Sequence, residues 1–194
     1  LLALAYKLPT IISLVSSIFM DAWQMSAIDE KESGNRAEFY STVFRNYQAL
    51  VFFAASGIIA FCRLVLPILA SNPEYQDSWQ YVPLLVLSTS FTIFGTFFSS
   101  IFQVEKKTGT ILMTTMVGAA ANVLFNYFMI PLLGANGAAL ATFISHFIVF
   151  AMRALLSQKY VAVDIRAGKM AVAMLLLLTQ TAVMVFEAPL WILW

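Results

Sequence analysis

The feature that most constrains the fold is a stretch without Asp, Glu, Lys or Arg that runs for 45 residues, from Thr108 to Met152. A single bilayer-spanning helix needs about 20 predominantly apolar residues, so this stretch is long enough for two. Pro131, Gly134 and Gly137 interrupt it beyond its midpoint. Proline cannot continue a helix, and glycine tolerates the dihedral angles of a turn. The stretch therefore predicts two membrane-spanning helices folded back on each other.

The composition extends this conclusion to the whole chain. Hydrophobic residues make up 61% of the sequence and charged residues only 11%, whereas about 25% of a typical soluble domain is charged. Such a chain cannot cover a water-facing surface, so we predict an all-α, polytopic membrane helix bundle. The single cysteine and single histidine are too few for a disulfide framework or for a zinc or haem site. The sequence also shows no phosphate-binding glycine loop and no nucleophile–base pattern, so we expect no enzyme, metal, cofactor or nucleic-acid partner.

Apolar runs bounded by polar and helix-breaking residues predict six spans and no second domain. The predicted spans cover approximately residues 8–28, 48–70, 83–104, 110–132, 136–156 and 170–186. Before the second span, an apolar face spaced as in a helix predicts a short amphipathic helix at the membrane surface, over approximately residues 38–48. The sequence begins and ends within apolar segments, so we expect residues 1–194 to form one transmembrane bundle of a longer protein.

The distribution of Lys and Arg predicts the orientation of this bundle. If the segment after the first span is cytoplasmic, nine of the 11 basic residues lie on the cytoplasmic side. These are Lys31, Arg36, Arg45, Lys106 and Lys107, followed in a basic linker by Arg153, Lys159, Arg166 and Lys169. Only Lys7 and Arg63 fall on the opposite side. Because cytoplasmic loops are rich in Lys and Arg, we predict a multi-pass protein of the cytoplasmic membrane whose first span enters from outside.

Three of the predicted spans carry polar side chains three or four residues apart, which places them on one helix face. The first span has Thr10, Ser13, Ser17, Asp21 and Gln24, with Lys7 one turn before them; the third has Ser88, Thr92, Thr96, Ser99 and Gln103; the fourth has Thr110, Thr114, Gly118, Asn122 and Asn126. Polar groups that face lipid lack hydrogen-bond partners. We therefore predict a substrate pathway lined by Lys7, Thr10, Ser17, Asp21, Gln24, Thr92, Thr96, Asn122 and Asn126.

Each of these groups also has a structural interpretation. Serine and threonine hydroxyls often bond carbonyls of their own helix or join neighbouring helices. Asn122 and Asn126 could make a helix–helix contact instead of lining a pathway. A charge at membrane depth is a functional candidate by default, but Asp21 could lie close enough to the cytoplasmic face to be wet. For His146, in the fifth span, a packed and hydrogen-bonded role is favoured over a proton relay.

Short motifs occur in a particular order along nearly the whole chain. They are Ala5-Tyr6-Lys7-Leu8-Pro9, Ala22-Trp23-Gln24-Met25-Ser26-Ala27, Glu38-Phe39-Tyr40-Ser41, Tyr75, Ser78-Trp79, Tyr81-Val82-Pro83, Lys106-Lys107-Thr108, Asn122, Asn126, Ile130-Pro131, Gly134, Gly137-Ala138-Ala139 and Ala141-Thr142. In this order they resemble the second half of the polysaccharide flippases of the multidrug/oligosaccharidyl-lipid/polysaccharide exporter superfamily. Each motif alone is weak, and the ordered combination is typical of the group without indicating a particular substrate.

The resemblance implies that the chain forms most of the second lobe of a two-lobed transporter with a central cavity. Members of the family move a polyprenyl-diphosphate-linked oligosaccharide from the inner to the outer leaflet by alternating access, during surface polysaccharide biosynthesis. The implied partners are this lipid-linked oligosaccharide, membrane lipid and other polysaccharide-assembly proteins. Asp21 departs from the family pattern, which has an uncharged amide there. A carboxylate at this position makes contact with a diphosphate less favourable than contact with a cation or a sugar hydroxyl.

Two other functions stay open. A multidrug or cation antiporter of the same superfamily would use buried carboxylates for ion coupling, and Asp21 and Glu187 are the candidates. The second alternative is a non-transporting or enzymatic membrane component of glycan assembly. An enzyme of that kind would need a catalytic carboxylate or histidine cluster in a large loop, and the loops predicted here are short.

The predicted orientation places the loop after the first span on the cytoplasmic side and the loop after the second span outside, so a reagent on one side of the membrane should reach only one of them. In a Cys62→Ala background, Ser33→Cys should react with a membrane-impermeant thiol reagent only from the cytoplasmic side, and Asn72→Cys only from outside. The reason is that a charged reagent does not cross the hydrocarbon layer. Labelling of intact cells and of inverted vesicles measures both reactions. If Asn72→Cys reacted in inverted vesicles but not in intact cells, the orientation would be the opposite of the predicted one.

Overall fold

The computed structural model describes residues 2–29, 35–69 and 78–185, except for the side chains of residues 2, 24–29, 67, 69 and 185. Nearly all of this described part is helical. Seven helices follow one another along it: α1 (Leu2–Ala5), α2 (Lys7–Asp29), α3 (Arg36–Leu69), α4 (Val82–Val104), α5 (Thr108–Leu133), α6 (Ala135–Ser157) and α7 (Ala167–Val185).

Six segments of the described chain are helices long and apolar enough to cross a membrane, which confirms the predicted all-α, polytopic bundle. They are Ala3–Trp23, Arg36–Leu66, Ser78–Val104, Thr108–Leu133, Ala135–Ser157 and Ala167–Met184. α1 and α2 contribute the first segment together, and each later helix contributes one.

The second span differs from the prediction, because the expected surface helix at residues 38–48 is the beginning of α3. Its apolar face continues through the helix at spacings of three and four residues, and every member is buried: Tyr40, Phe44, Tyr47, Val51, Ala55, Ile59, Cys62 and Leu66. No glycine or proline separates residues 38–48 from the span that follows. A continuous apolar stripe without a helix breaker therefore forms one long packed helix.

Helix α4 lies at the centre of the bundle. About 78% of its apolar segment is buried, compared with 6% in α5. The Phe97 ring lies 5.2 Å from the Trp23 ring of α2 and 5.0 Å from the Phe44 ring of α3, between centroids. The Phe94 ring lies 5.9 Å from the Phe150 ring of α6. Such aromatic pairs each contribute about 0.5–1.5 kcal/mol beyond area burial, so α4 holds α2, α3 and α6 together.

The hairpin predicted within the charge-free stretch is present, and α5 and α6 are joined by Gly134 alone. Gly134 has φ 57° and ψ −132°, a conformation that side chains with a Cβ rarely adopt. Pro131 lies inside α5, which continues to Leu133. Gly137 permits the close crossing just after the turn, because a methyl group added there would overlap the Met129 carbonyl. The two helices therefore pack backbone against backbone near the turn.

This close crossing predicts different effects for two glycine-to-alanine changes. Gly137→Ala should lower the stability of the bundle by about 1–3 kcal/mol, the usual result of overpacking a tight contact. Gly57→Ala, within α3, is the control, because a methyl group there has no neighbouring atom within 4 Å. Alanine also favours the helix at that site. Thermal unfolding in detergent measures both, and equal midpoints for the two variants would contradict the close crossing.

Candidate functional site

A polar groove of about 360 Å³ lies among α4, α5 and α6. Its lining residues are Thr92, Gly95, Thr115, Gly118, Ala119, Asn122, Ser145, His146, Val149 and Arg153. Within each helix these residues are three or four positions apart, or adjacent, so each helix contributes one face. Glycine, alanine and serine supply the space, and hydroxyl, amide, imidazole and guanidinium groups supply the polarity. We call this the α4–α6 groove.

Arg153 joins the three helices of the groove. Its Nε donates a hydrogen bond to Thr114 Oγ1 at 3.0 Å, and its Nη2 donates to Thr115 Oγ1 at 2.8 Å. Its Nη1 donates to the Gly95 carbonyl of α4 at 3.4 Å. A Cβ atom at position 95 would lie 3.6 Å from Nη1, an ordinary van der Waals distance, so the guanidinium packs closely against the α4 backbone. The Arg153 side chain of α6 thus contacts both α4 and α5.

The assignment of Arg153 to a basic linker was wrong, because the residue lies inside α6, four positions before its last residue, Ser157. Counting charges by loop placed it outside the membrane, since a charged residue usually ends a span. A signal for the correct position was present in the sequence. Gly137, Ala141 and Ser145 follow one another at intervals of four, and Val149 and Arg153 continue this series as an inclined row along the helix surface, in which each residue adjoins the next.

His146 is held by two hydroxyl groups of α4. Its Nδ1 lies 2.7 Å from Ser88 Oγ and 2.8 Å from Thr92 Oγ1. The ring therefore has the packed, hydrogen-bonded position favoured by the sequence, and it also lines the groove. Among the described residues, its Nε2 has no hydrogen-bond partner. The histidine thus carries one nitrogen anchored to α4 and one available to a molecule in the groove.

The structure brings two of the predicted pathway residues, Thr92 and Asn122, into this groove. Asn126 does not line it, but its Nδ2 donates to Asn122 Oδ1 at 2.9 Å and so orients the Asn122 amide. Thr96 is exposed on α4, and its hydroxyl donates to the Thr92 carbonyl at 3.0 Å. Pathway residues predicted from the third and fourth spans therefore lie at one site, the α4–α6 groove, and Thr96 and Asn126 lie beside it.

The first-span residues lie elsewhere. Lys7, Thr10, Ser17 and Asp21 are all exposed on α2, and none of them lines the α4–α6 groove. The Thr10 hydroxyl donates to the Lys7 carbonyl at 2.6 Å and the Ser17 hydroxyl to the Leu14 carbonyl at 2.8 Å. These are the own-helix bonds that the sequence left open as an alternative. Gln24 belongs to α2, but its side chain lies outside the described residues.

Sequence reasoning also missed a polar contact between α2 and α3. Ser16, buried on α2, forms a hydrogen bond with the Tyr47 hydroxyl of α3. Ser16 lies beside the predicted stripe and faces the bundle, whereas its neighbour Ser17 is exposed. An adjacent apolar groove of about 420 Å³ between the same helices is lined mainly by aliphatic and aromatic side chains. The hydroxyl that joins these helices is therefore one position away from the predicted stripe.

Comparison of the chain with protein-family models, with curated proteins and with solved structures found no match. The class of protein thus rests on the chain itself. Within the part of the chain that the structure describes, six helices have membrane-spanning length and apolarity, which defines a multi-pass, helical membrane protein.

The hydrogen bonds of Arg153 predict a small effect of its removal on stability. Thr114 and Thr115 also donate to the Ile111 carbonyl, and the Gly95 carbonyl also accepts from Ser99. These groups keep a partner when the guanidinium is absent. Removing the guanidinium also removes the cost of partly burying a charge without a counter-ion on these helices, which offsets the lost hydrogen bonds. Arg153→Met should therefore change the unfolding free energy by less than about 1 kcal/mol.

Thermal unfolding in detergent tests this expectation, with Lys159→Met as the matched control, since Lys159 is exposed and follows α6. Both variants lose one positive charge and gain the same side chain. A markedly lower midpoint for Arg153→Met alone would assign the arginine a structural role in joining the helices.

Proposed function

We propose that the protein translocates a polyprenyl-diphosphate-linked oligosaccharide across the cytoplasmic membrane by alternating access, in surface polysaccharide biosynthesis. The observation that carries this proposal is the α4–α6 groove. It offers hydroxyl, amide, imidazole and guanidinium groups to a polar molecule from three helices that are otherwise apolar. A headgroup made of sugars cannot cross hydrocarbon unaided, so a flippase needs a polar passage of this kind.

The chemistry of the lining suits a weakly held sugar. Thr92 and Thr115 each donate a hydrogen bond to a carbonyl of their own helix. Thr115 Oγ1 also accepts from Arg153, and Thr92 Oγ1 also bonds His146, so each oxygen keeps one lone pair for a hydroxyl group of a ligand. Asn122 accepts from Asn126 and keeps its amide hydrogens as donors. Single neutral hydrogen bonds contribute about 0.5–1.5 kcal/mol each. Several such contacts hold a large headgroup without preventing its release.

The surroundings of the groove suit the lipid part of the substrate. Exposed apolar side chains on α5 include Met116, Val123, Leu124 and Phe128. An apolar surface of this kind is compatible with lipid, where a prenyl tail would stay while the headgroup enters the groove. The exposed polar stripe of α2 would complete the passage from another side of the lobe, with Asp21 contacting sugar hydroxyls.

The ordered family-like motifs also support this function. Asn122 belongs to those motifs and to the groove lining alike. Lipid-linked oligosaccharide, membrane lipid and other polysaccharide-assembly proteins are the partners that the proposal requires.

A cation antiporter is the second candidate, and the exposed carboxylate of Asp21 within a span-forming helix is the observation that favours it. Ion coupling would require Asp21 to be part of a cation site. The α4–α6 groove contains no acidic residue, so that site would lie apart from it.

Gene deletion separates the two candidates. Loss of the surface polymer, with lipid-linked precursor retained in the inner leaflet, is expected if the protein is a flippase. Normal polymer together with new sensitivity to cationic dyes would favour the antiporter and contradict flipping.

Complementation of the deletion strain tests the site itself. Asn122→Leu and Asp21→Leu should restore the polymer poorly, because each removes a polar contact from the proposed passage. Thr179→Val is the control, since this exposed hydroxyl on α7 bonds the Leu175 carbonyl of its own helix and no other group among the described residues. Polymer amount is compared at equal membrane levels of each variant. Full restoration by both leucine variants would remove these residues from the passage.

A further inference from the structure

The α4–α6 groove carries an unbalanced positive charge. Helices α4, α5 and α6 together contain a single charged residue, Arg153, and no Asp or Glu. Arg153 is partly buried, and within the described residues all its hydrogen bonds go to neutral oxygens. A positive charge that is partly removed from water and has no counter-ion on these helices is electrostatically unfavourable. The groove therefore favours a ligand that supplies negative charge.

The guanidinium of Arg153 has hydrogen-bond donors to spare. It carries five N–H groups, and three of its nitrogens each make one bond to the protein. Each terminal nitrogen therefore keeps one N–H without an acceptor among the described residues. Two neighbouring N–H groups of this kind match the two oxygens of a carboxylate or a phosphate.

Two neutral side chains add polar groups to the same groove. Asn122 Oδ1 accepts from Asn126 Nδ2, so both hydrogens of the Asn122 amide remain available. The hydrogen-bonded Nδ1 of His146 fixes its ring against Ser88 and Thr92, and Nε2 is the nitrogen left for a ligand. The Asn122 amide of α5 thus adds neutral donors beside the positive charge of Arg153 on α6.

We propose that the α4–α6 groove is an oxyanion subsite, in which Arg153 binds a phosphate or carboxylate group and Asn122 contributes a neutral hydrogen bond. The identity of that group rests on the proposed function: it is either the diphosphate of the lipid carrier or the carboxylate of an acidic sugar. The charge of Asp21 does not oppose this binding within the groove, because Asp21 is on α2 and does not line it.

The test is anion binding by the full-length protein in lipid nanodiscs, measured by isothermal titration calorimetry. Inorganic pyrophosphate stands for the lipid carrier and D-glucuronate for an acidic sugar, while D-glucose is the neutral probe. We expect one of the two anions to bind more tightly than glucose. Tighter binding of pyrophosphate assigns the subsite to the diphosphate, and tighter binding of glucuronate assigns it to the sugar.

The role of Arg153 is tested with Arg153→Gln, which should weaken binding of the preferred anion by about tenfold or more, the effect of losing hydrogen bonds to a charged group. Arg153→Lys keeps the charge but not the pair of N–H groups, so intermediate affinity is expected. Lys159→Gln is the matched control for loss of an exposed charge beyond α6 and should bind as the unmodified protein does.

A second variant keeps the test informative if Arg153→Gln does not fold. Asn122→Ala removes a neutral donor and keeps the charge, so it should weaken anion binding less, by about threefold to tenfold. Failure of both anions to bind the unmodified protein, or equal affinity for it and for folded Arg153→Gln, would overturn the subsite. The calorimetry measures anion binding and not transport, so the two proposals can fail separately. Normal surface polymer in the deletion strain would contradict the proposed flippase function, but it would not contradict anion binding by the groove.

Discussion

The aromatic packing of α4 is the interaction on which the rest of the bundle depends. Phe94 and Phe97 contact rings from α2, α3 and α6, and Phe98 lies between Phe44 of α3 and Phe150 of α6. Lipid is as apolar as these side chains, so close packing, more than hydrophobic burial, holds helices together within a membrane. Beside these rings, the Ser88 and Thr92 hydroxyls of α4 are turned toward His146 of α6.

The division of α4 into two faces creates the groove. Thr92 and Gly95 line the groove, while Phe94 and Phe97 occupy the packed core. Gly95 also contributes its carbonyl oxygen, which accepts a hydrogen bond from Arg153 on α6. The same helix therefore supplies an aromatic surface for packing and a backbone surface for a charged neighbour.

The sequence predicts the spans and the hairpin well, because length, apolarity, Pro131 and Gly134 act locally. It predicts the site less completely. Whether a threonine lines a groove depends on the neighbouring helices, which the sequence of its own helix does not show. Thr10 and Thr92 both bond a carbonyl of their own helix, but Thr92 also lines the α4–α6 groove, whereas Thr10 does not. Arg153 was misplaced because charge counting cannot show that nearby hydroxyl groups and a glycine accommodate a cation inside a span.

The single-residue connection between α5 and α6 has a practical consequence for mapping the protein with fused reporters. A fusion made after Gly134 would contain α5 without the helix that packs on it. Thr114 and Gly118, the buried residues of α5, would then face lipid or a foreign neighbour. Such a fusion would report the behaviour of an unpaired helix and not the native topology. Informative junctions lie outside the hairpin, before Thr108 or after Ser157.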